Sequence, residues 1–383
     1  MRPVYLDNAA TTKVRDEVLA EMMPVLMQDY GNPSGVHSFS RAARHYVDTA
    51  RTRLADALRC SPGNILFTGG GTESDNLAIH SAVLSYRQRT GNTPEVISAR
   101  TEHHAVLNTL NALETQGLIT LRFVRTDRFG RVDPDDVLRM ISPDTGLVTV
   151  MTANNETGNL MPAPEIGKVC RDRGVLFHTD AVQAFGHVPL GADEFHADLI
   201  SVSSHKIHGP KGAGALYCSD TTRIRPLMFG GMQEKGLRPG TENVPALTGF
   251  GKAAECACAG LSDHMDRVRS LRNRLADAIS GTVSCASFNT DLAQSLPNIL
   301  NVTFRDIDGK ALLLLLDMNG IAVSAGAACA AGSPEPSHVL LAMGLSRQDA
   351  YSSVRFSLSE FTTAEEIDRV CEVLPSLVRQ AAI

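Results

Sequence analysis

The chain has 383 residues, with 36 lysines and arginines against 42 aspartates and glutamates, eight cysteines and no tryptophan. That length suffices for about two or three domains with proper cores, and a mildly acidic net charge of −6 with basic residues scattered among acidic ones argues against nucleic-acid binding. The longest apolar run, residues 311–316, is far below the roughly 18–20 residues that cross a bilayer, and the opening Met-Arg-Pro-Val-Tyr-Leu-Asp lacks a signal peptide's apolar core, so a soluble cytoplasmic protein without membrane partners is expected.

Short β-rich runs alternate with helical stretches from about residue 60 to 220. Residues 65–68 form an expected strand that runs into Gly69-Gly70-Gly71, and Thr72-Glu73-Ser74-Asp75-Asn76 opens an apolar helix through Leu84. Further strands are expected at 95–99, 121–125, 147–151, 175–179, 199–202 and 214–218, with helices such as 104–116 and 164–174 between them. This alternation predicts an α/β fold with a mainly parallel sheet flanked by helices. Beyond about residue 255 the pattern changes to a charged helix at 262–279, a strand at 298–304, a helix at 309–318, a strand at 321–324 and paired segments at 354–358 and 364–373. The expected organisation is a large domain over 16–250 and a smaller α+β domain built from 1–15 and 251–383.

Ligands of open α/β sheets bind beyond the carboxyl ends of the strands, and the chemically useful residues crowd there. The Gly69-Gly70-Gly71-Thr72 turn joins a strand to a helix N-terminus, where it is either a tight turn and nothing more or an anion site by its free N–H groups and dipole, and it lacks the Gly-Lys-Ser/Thr of a Walker loop. Asp180 ends the 175–179 strand, where it is either a helix cap or the partner of a cationic ring nitrogen, with Gln183 close behind. The next strand ends in Ser203-Ser204-His205-Lys206-Ile207-His208-Gly209-Pro210-Lys211-Gly212. A lysine among small hydroxyls and histidines suits an imine-forming amine. An aspartate for a pyridinium, a lysine for an imine and donors for a phosphate are the parts a pyridoxal-phosphate site needs.

The runs His178-Thr179-Asp180-Ala181-Val182-Gln183 and Ser203 to Gly212 resemble the cofactor motifs of the NifS/IscS-type cysteine desulfurases, fold-type I pyridoxal-phosphate enzymes of the class-V aminotransferase family. Tyr5-Leu6-Asp7-Asn8-Ala9-Ala10-Thr11-Thr12, Gly31-Asn32-Pro33-Ser34, Thr72 to Ala78, Asn154-Asn155-Glu156-Thr157-Gly158, Gly230-Gly231, Arg238-Pro239-Gly240-Thr241 and Arg355-Phe356-Ser357-Leu358 extend the resemblance over nearly the whole chain. The resemblance implies that Lys206 holds the cofactor, Asp180 pairs with its ring nitrogen, Gln183 bonds its ring hydroxyl and His103 stacks on the ring and helps move protons. His104 is left as a helix-start residue and Lys211 as a structural or surface lysine. Thr72, Ser203 and His205 would hold the phosphate, joined by Thr241 from a partner subunit, which implies a homodimer. Asn155 and Arg355 would bind the substrate α-carboxylate, for which a guanidinium fork is well shaped, the alternative for Arg355 being a surface salt bridge on a strand.

The cysteines have no zinc-site or disulfide spacing, so reduced thiols and no metal are expected, most of them as small buried hydrophobes. Cys329 differs: the run Val323 to His338 is rich in small residues with two prolines, reading as an accessible loop after a strand. It resembles the loop that carries the persulfide-forming cysteine of the group I desulfurases, except that Ala325, Ala327, Ala330 and Ala331 replace the usual hydroxyl residues and offer fewer hydrogen bonds to a thiolate. Pro239 likewise replaces a more usual serine and stiffens its turn. The implied activity converts L-cysteine to L-alanine and leaves a persulfide on Cys329, supplying a sulfur-acceptor protein for iron–sulfur cluster assembly or another sulfur transfer. Selenocysteine lyase, a pyridoxal-phosphate lyase or aminotransferase on the same fold, and a catalytically silent carrier subunit are the alternatives.

Overall fold

The computed structural model describes residues 3–325 and 335–383, so Cys329, Ala327, Ala330 and Ala331 lie outside the described residues. Its strands in chain order are β1 (Val4–Tyr5), β2 (Ile65–Thr68), β3 (Glu95–Ala99), β4 (Thr120–Val124), β5 (Thr145–Thr149), β6 (Leu176–Asp180), β7 (Leu199–Ser203), β8 (Gly214–Cys218), β9 (Ala286–Phe288), β10 (Ile299–Phe304), β11 (Ile321–Ala322), β12 (Ser324–Ala325) and β13 (Ser353–Ser357). Seven of them form one sheet in the order β2-β8-β7-β6-β5-β3-β4. β3, β4, β5, β6 and β7 run parallel, and β8 is antiparallel to both β2 and β7.

Residues of β2, β5, β7 and β8 are buried throughout, as expected of strands covered on both faces. Alternation divides them between two layers. Ile65, Phe67, Val148 and Ile200 join one apolar cluster, and Leu66, Leu147, Leu199 and Leu216 join the other. On the first face lie the helices Asp16–Met27, Ser38–Ala57 and Val244–Cys258, whose Val18, Val25, Val47, Leu54, Leu247 and Phe250 share that core. The sequence pattern did not separate these three helices. On the second face the helix Gly71–Thr90 contributes Leu77, Ile79 and Val83, and His104–Thr115 contributes Val106 and Leu110.

A separate core joins an antiparallel sheet, β12-β13-β10-β9, to the helices Leu261–Thr282, Gly309–Met318 and Ala364–Gln380. Val4 and Leu6 pack into it, and β1 pairs in parallel with β11. Two details differ from the sequence reading. Residues 364–373 belong to a helix, because Thr363 and Glu366 form a reciprocal capping box and Ile367, Val370, Leu374 and Leu377 recur at helical spacing. The strand expected at 147–151 ends at Thr149: toward β6 the Val150 and Thr152 N–H groups still donate to the His178 and Asp180 carbonyls, but the Met151 N–H donates to Glu102 Oε1 at 2.6 Å, a side chain and not a strand.

Candidate active site

The parallel strands deliver their carboxyl ends to one edge of the sheet, and a cavity of about 370 Å³ opens there. Thr72, His103, Asn155, Asp180, Gln183, Ser203, His205, Lys206 and Arg355 all line it, from segments scattered over most of the chain. Thr241 does not line it and stands exposed on the surface. Its loop is nevertheless tied to the cavity's rim, because Arg238 Nε donates to Glu73 Oε1 at 2.8 Å in the first turn of Gly71–Thr90.

That helix starts without a side-chain cap, so its first N–H groups, which have no intrahelical acceptor, face the cavity's Gly71 and Thr72 corner. Glycine is required where β8 passes this turn: a Cβ on Gly214 would fall 2.6 Å from the backbone of Gly70, which itself has φ of +155°. Beside the turn, Ser203 Oγ is buried without a hydrogen-bond partner among the described residues. An unpaired hydroxyl, a helix N-terminus and a threonine in one corner make a donor set for a phosphate.

Lys206 sits in a short 3₁₀ turn, Ser204–Lys206, between the antiparallel strands β7 and β8. Its Nζ donates to the carbonyls of Ala9 at 2.6 Å and Ala10 at 2.8 Å, and Gln183 Nε2 donates to the same Ala9 carbonyl at 2.9 Å. The His205 Nδ1 lies 3.2 Å from Thr11 Oγ1. Burial and then Lys206 and Lys211 push the His205 pKa down to about 4, so its imidazole is neutral. The Tyr5 to Thr12 run therefore forms one wall of the Lys206 turn.

Asp180 is capped by the Val182 N–H at 2.9 Å. Burial raises its pKa to about 6 against that hydrogen bond and the attraction of Lys206. Behind it lies buried Asp75, whose Oδ1 is 3.6 Å from His178 Nε2 and which burial and the neighbouring Asp180 hold well above the ordinary carboxylate range. Ligand atoms of Asp75, His103 and Asp180 lie within 4.8 Å of one another. Sequence reasoning gave Asp75 no role beyond opening a helix, although a carboxylate one turn into an apolar helix was a visible signal. Two carboxyls this close in a dry site share one proton readily, and a cationic ring nitrogen is the partner that lets Asp180 ionise. Pyridoxal phosphate fits this cavity at both its anionic and its cationic ends.

The sign for Asp180 follows from its raised pKa. In the cofactor-free chain its contribution to stability is whole below the ordinary value of 3.8 and is lost as pH rises through about 6. Cofactor binding should show the complement, tightening as Asp180 ionises through the same range. Asp180→Asn is expected to flatten both dependences and weaken the cofactor at neutral pH, which equilibrium dialysis and urea titrations from pH 4 to pH 8 would measure.

His103 caps the helix His104–Thr115, its Nδ1 accepting from the Ala105 N–H at 3.1 Å, which places the imidazole proton on Nε2. Burial and then Lys206 lower its pKa to about 4. His104 is the first helical residue, as expected, but it also lines the cavity and packs against His338 with ring centroids 4.4 Å apart and the planes inclined by 41°. His338 lies within hydrogen-bond distance of the Glu102 carbonyl at 2.8 Å, and Ser337 donates to Glu156, so the residues just after the Cys329 segment are bound to the cavity wall. Arg355 on β13 reaches Asp7 and the Asn155 carbonyl, each at 2.8 Å.

Among the seven described cysteines, Cys170 and Cys218 are fully buried, four are half-buried and Cys258 is exposed, so burial is less general than expected. Desolvation raises Cys60 to about 11 and both Cys170 and Cys218 to about 12, and also raises Cys258 and Cys371. Those five are poor thiolates at neutral pH. No helix among the described residues is long and apolar enough to cross a membrane.

Comparison with known proteins agrees with this geometry. The aminotransferase class-V family matches residues 4–370. A cysteine desulfurase of Trichormus azollae is 45% identical over 380 residues, covering 99% of this chain and 94% of its own. The cysteine desulfurase IscS of Methanosarcina thermophila is 42% identical over 379 residues, covering 99% and 93%. A solved NifS-like protein superposes with a TM-score of 0.92 at 36% identity, covering 99% of this chain and all of its own. The chain belongs to the class-V aminotransferase family and, within it, to the pyridoxal-phosphate-dependent cysteine desulfurases.

Proposed function

We propose that this desulfurase converts L-cysteine to L-alanine by moving the substrate sulfur onto Cys329 as a persulfide, with residues 16–250 forming the cofactor-binding domain and the unit of residues 1–15 and 251–383 adding Arg355 to the cavity and carrying the cysteine segment. The observation that carries the reading is the convergence of Lys206, Asp180, Gln183, His103, Asn155 and Arg355 on one cavity with an anion-binding corner at Thr72, Ser203 and His205. Bound pyridoxal phosphate supplies an electron sink for the substrate Cα.

The protein's own groups do the rest. Arg355 and Asn155 hold the substrate carboxylate, which fixes the Cα–H direction toward Lys206. Lys206 removes that proton, and neutral His103, with its proton on Nε2, assists transfer within the dry pocket. Asp180 supplies the negative charge that keeps a ring nitrogen protonated. Cys329 thiolate attacks the substrate Sγ, forming an S–S bond as the Cβ–Sγ bond breaks with its electron pair going to the substrate carbon. That carbon takes a proton, and alanine leaves. The raised pKa values of five other thiols favour Cys329 as the nucleophile.

A homodimer is supported by exposed apolar side chains in the segment that leads into the Thr241 loop, Phe229 at 91% and Met232 at 79% exposure. Such a dimer would cover these side chains and let Thr241 serve the partner's phosphate corner. The persulfide then passes to an acceptor protein in the cytoplasm, with iron–sulfur cluster assembly the use that the IscS relatives suggest. Incubating the cofactor-loaded enzyme with L-cysteine and dithiothreitol should yield alanine and sulfide in equal amounts. Pyruvate and ammonia in place of alanine would instead identify a β-eliminating lyase.

A further inference from the structure

Arg355 is 1% exposed, so its charge needs a permanent partner, and the partner is Asp7, whose side chain is 21% exposed. Arg355 Nη2 donates to Asp7 Oδ1 at 2.8 Å and Nη1 to the Asn155 carbonyl at 2.8 Å. Its Nε is buried with no hydrogen-bond partner among the described residues, as is Asn155 Oδ1. A carboxylate entering the cavity thus meets a guanidinium already half committed. Asp7 lies in the same Tyr5 to Thr12 run whose Ala9 and Ala10 carbonyls hold the Lys206 amine.

We propose that Asp7 is a positioning residue that sets how tightly the site holds the α-carboxylate of substrate and product. By pre-neutralising Arg355 it keeps the guanidinium oriented in the empty site and weakens its attraction for the carboxylate, so that alanine is released readily. The inference rests on the assignment of the carboxylate to Arg355, and its test separates the two. Removing the charge while keeping an acceptor, as in Asp7→Asn, leaves Arg355 in place with a full unbalanced charge that an incoming carboxylate then satisfies.

Calorimetry of the cofactor-loaded enzyme with L-alanine is expected to show Asp7→Asn binding about tenfold tighter than wild type. The KM for L-cysteine should fall in parallel, and kcat should fall because product leaves more slowly. L-Alaninamide, which lacks the carboxylate, should bind both proteins equally. Asp7→Ser provides the same comparison should the asparagine variant fold poorly. Unchanged or weaker alanine binding in the variants, or an equal gain for the amide, overturns the role of Asp7. Arg355→Ala tests the underlying assignment: it should weaken alanine binding while sparing the amide, and alanine binding as tight as wild type would remove both claims together.

Discussion

Lys206→Ala is expected to lower desulfurase turnover on the order of 10³-fold or more, and to abolish the long-wavelength absorbance of the lysine-linked cofactor. The size follows from position. Lys206 stands at the end of a fully buried strand, in a turn fixed between two antiparallel neighbours, with its amine directed at the cavity and held by two carbonyls. Water in its place can accept a proton but cannot be oriented by those contacts. Lys206→Arg separates charge from chemistry, because arginine keeps the cation yet neither forms the imine nor gives up its proton. Both variants should retain the wild-type urea midpoint within experimental scatter, and both should lose turnover. A variant that kept turnover would mean that another group performs the proton abstraction.

Cys329→Ala is expected to abolish sulfur release from L-cysteine, by on the order of 10³-fold or more, while leaving cofactor content and the Lys206-dependent absorbance intact. The distinction is chemical. A lyase needs Lys206 and Asp180 but not Cys329, so it would release full sulfide with dithiothreitol present, and an aminotransferase, which leaves the Cβ–Sγ bond intact, would release none in either protein; a desulfurase needs a thiolate to accept the substrate's Sγ. None of the five thiols raised by desolvation is suited to stand in for it. Cys329→Ser gives the same outcome if the sulfur itself, and not merely a polar group, is what the reaction requires.

Much of this site was legible because its residues end strands. Asp180 and Lys206 follow apolar runs that can only be buried strands, and a polar residue at such a boundary is placed by the fold at the sheet's carboxyl edge. The glycine turn before Thr72 was readable for the same reason. What could not be read were contacts that join distant segments. Asp7 and Arg355 are separated by almost the whole chain, and His104 meets His338 only because segments far apart in sequence fold against one cavity. Neither pair has a local pattern. The three helices Asp16–Met27, Ser38–Ala57 and Val244–Cys258 carry a weak sequence signal for a related reason: packed against one another as well as the sheet, they bury small residues such as Ala43, Ala50, Ala253 and Ala254 that blur an apolar stripe. At 147–151 the apolar run outlasted its strand, because hydrophobicity reports burial and says nothing of which partner takes the N–H.

The most direct test is mass spectrometry of the cofactor-loaded protein after brief incubation with L-cysteine and no added thiol. A mass increase of one sulfur is expected, removed by dithiothreitol and mapped to the peptide that contains Cys329. Full alanine production with no sulfur on that peptide, or with the sulfur on another cysteine, would contradict it.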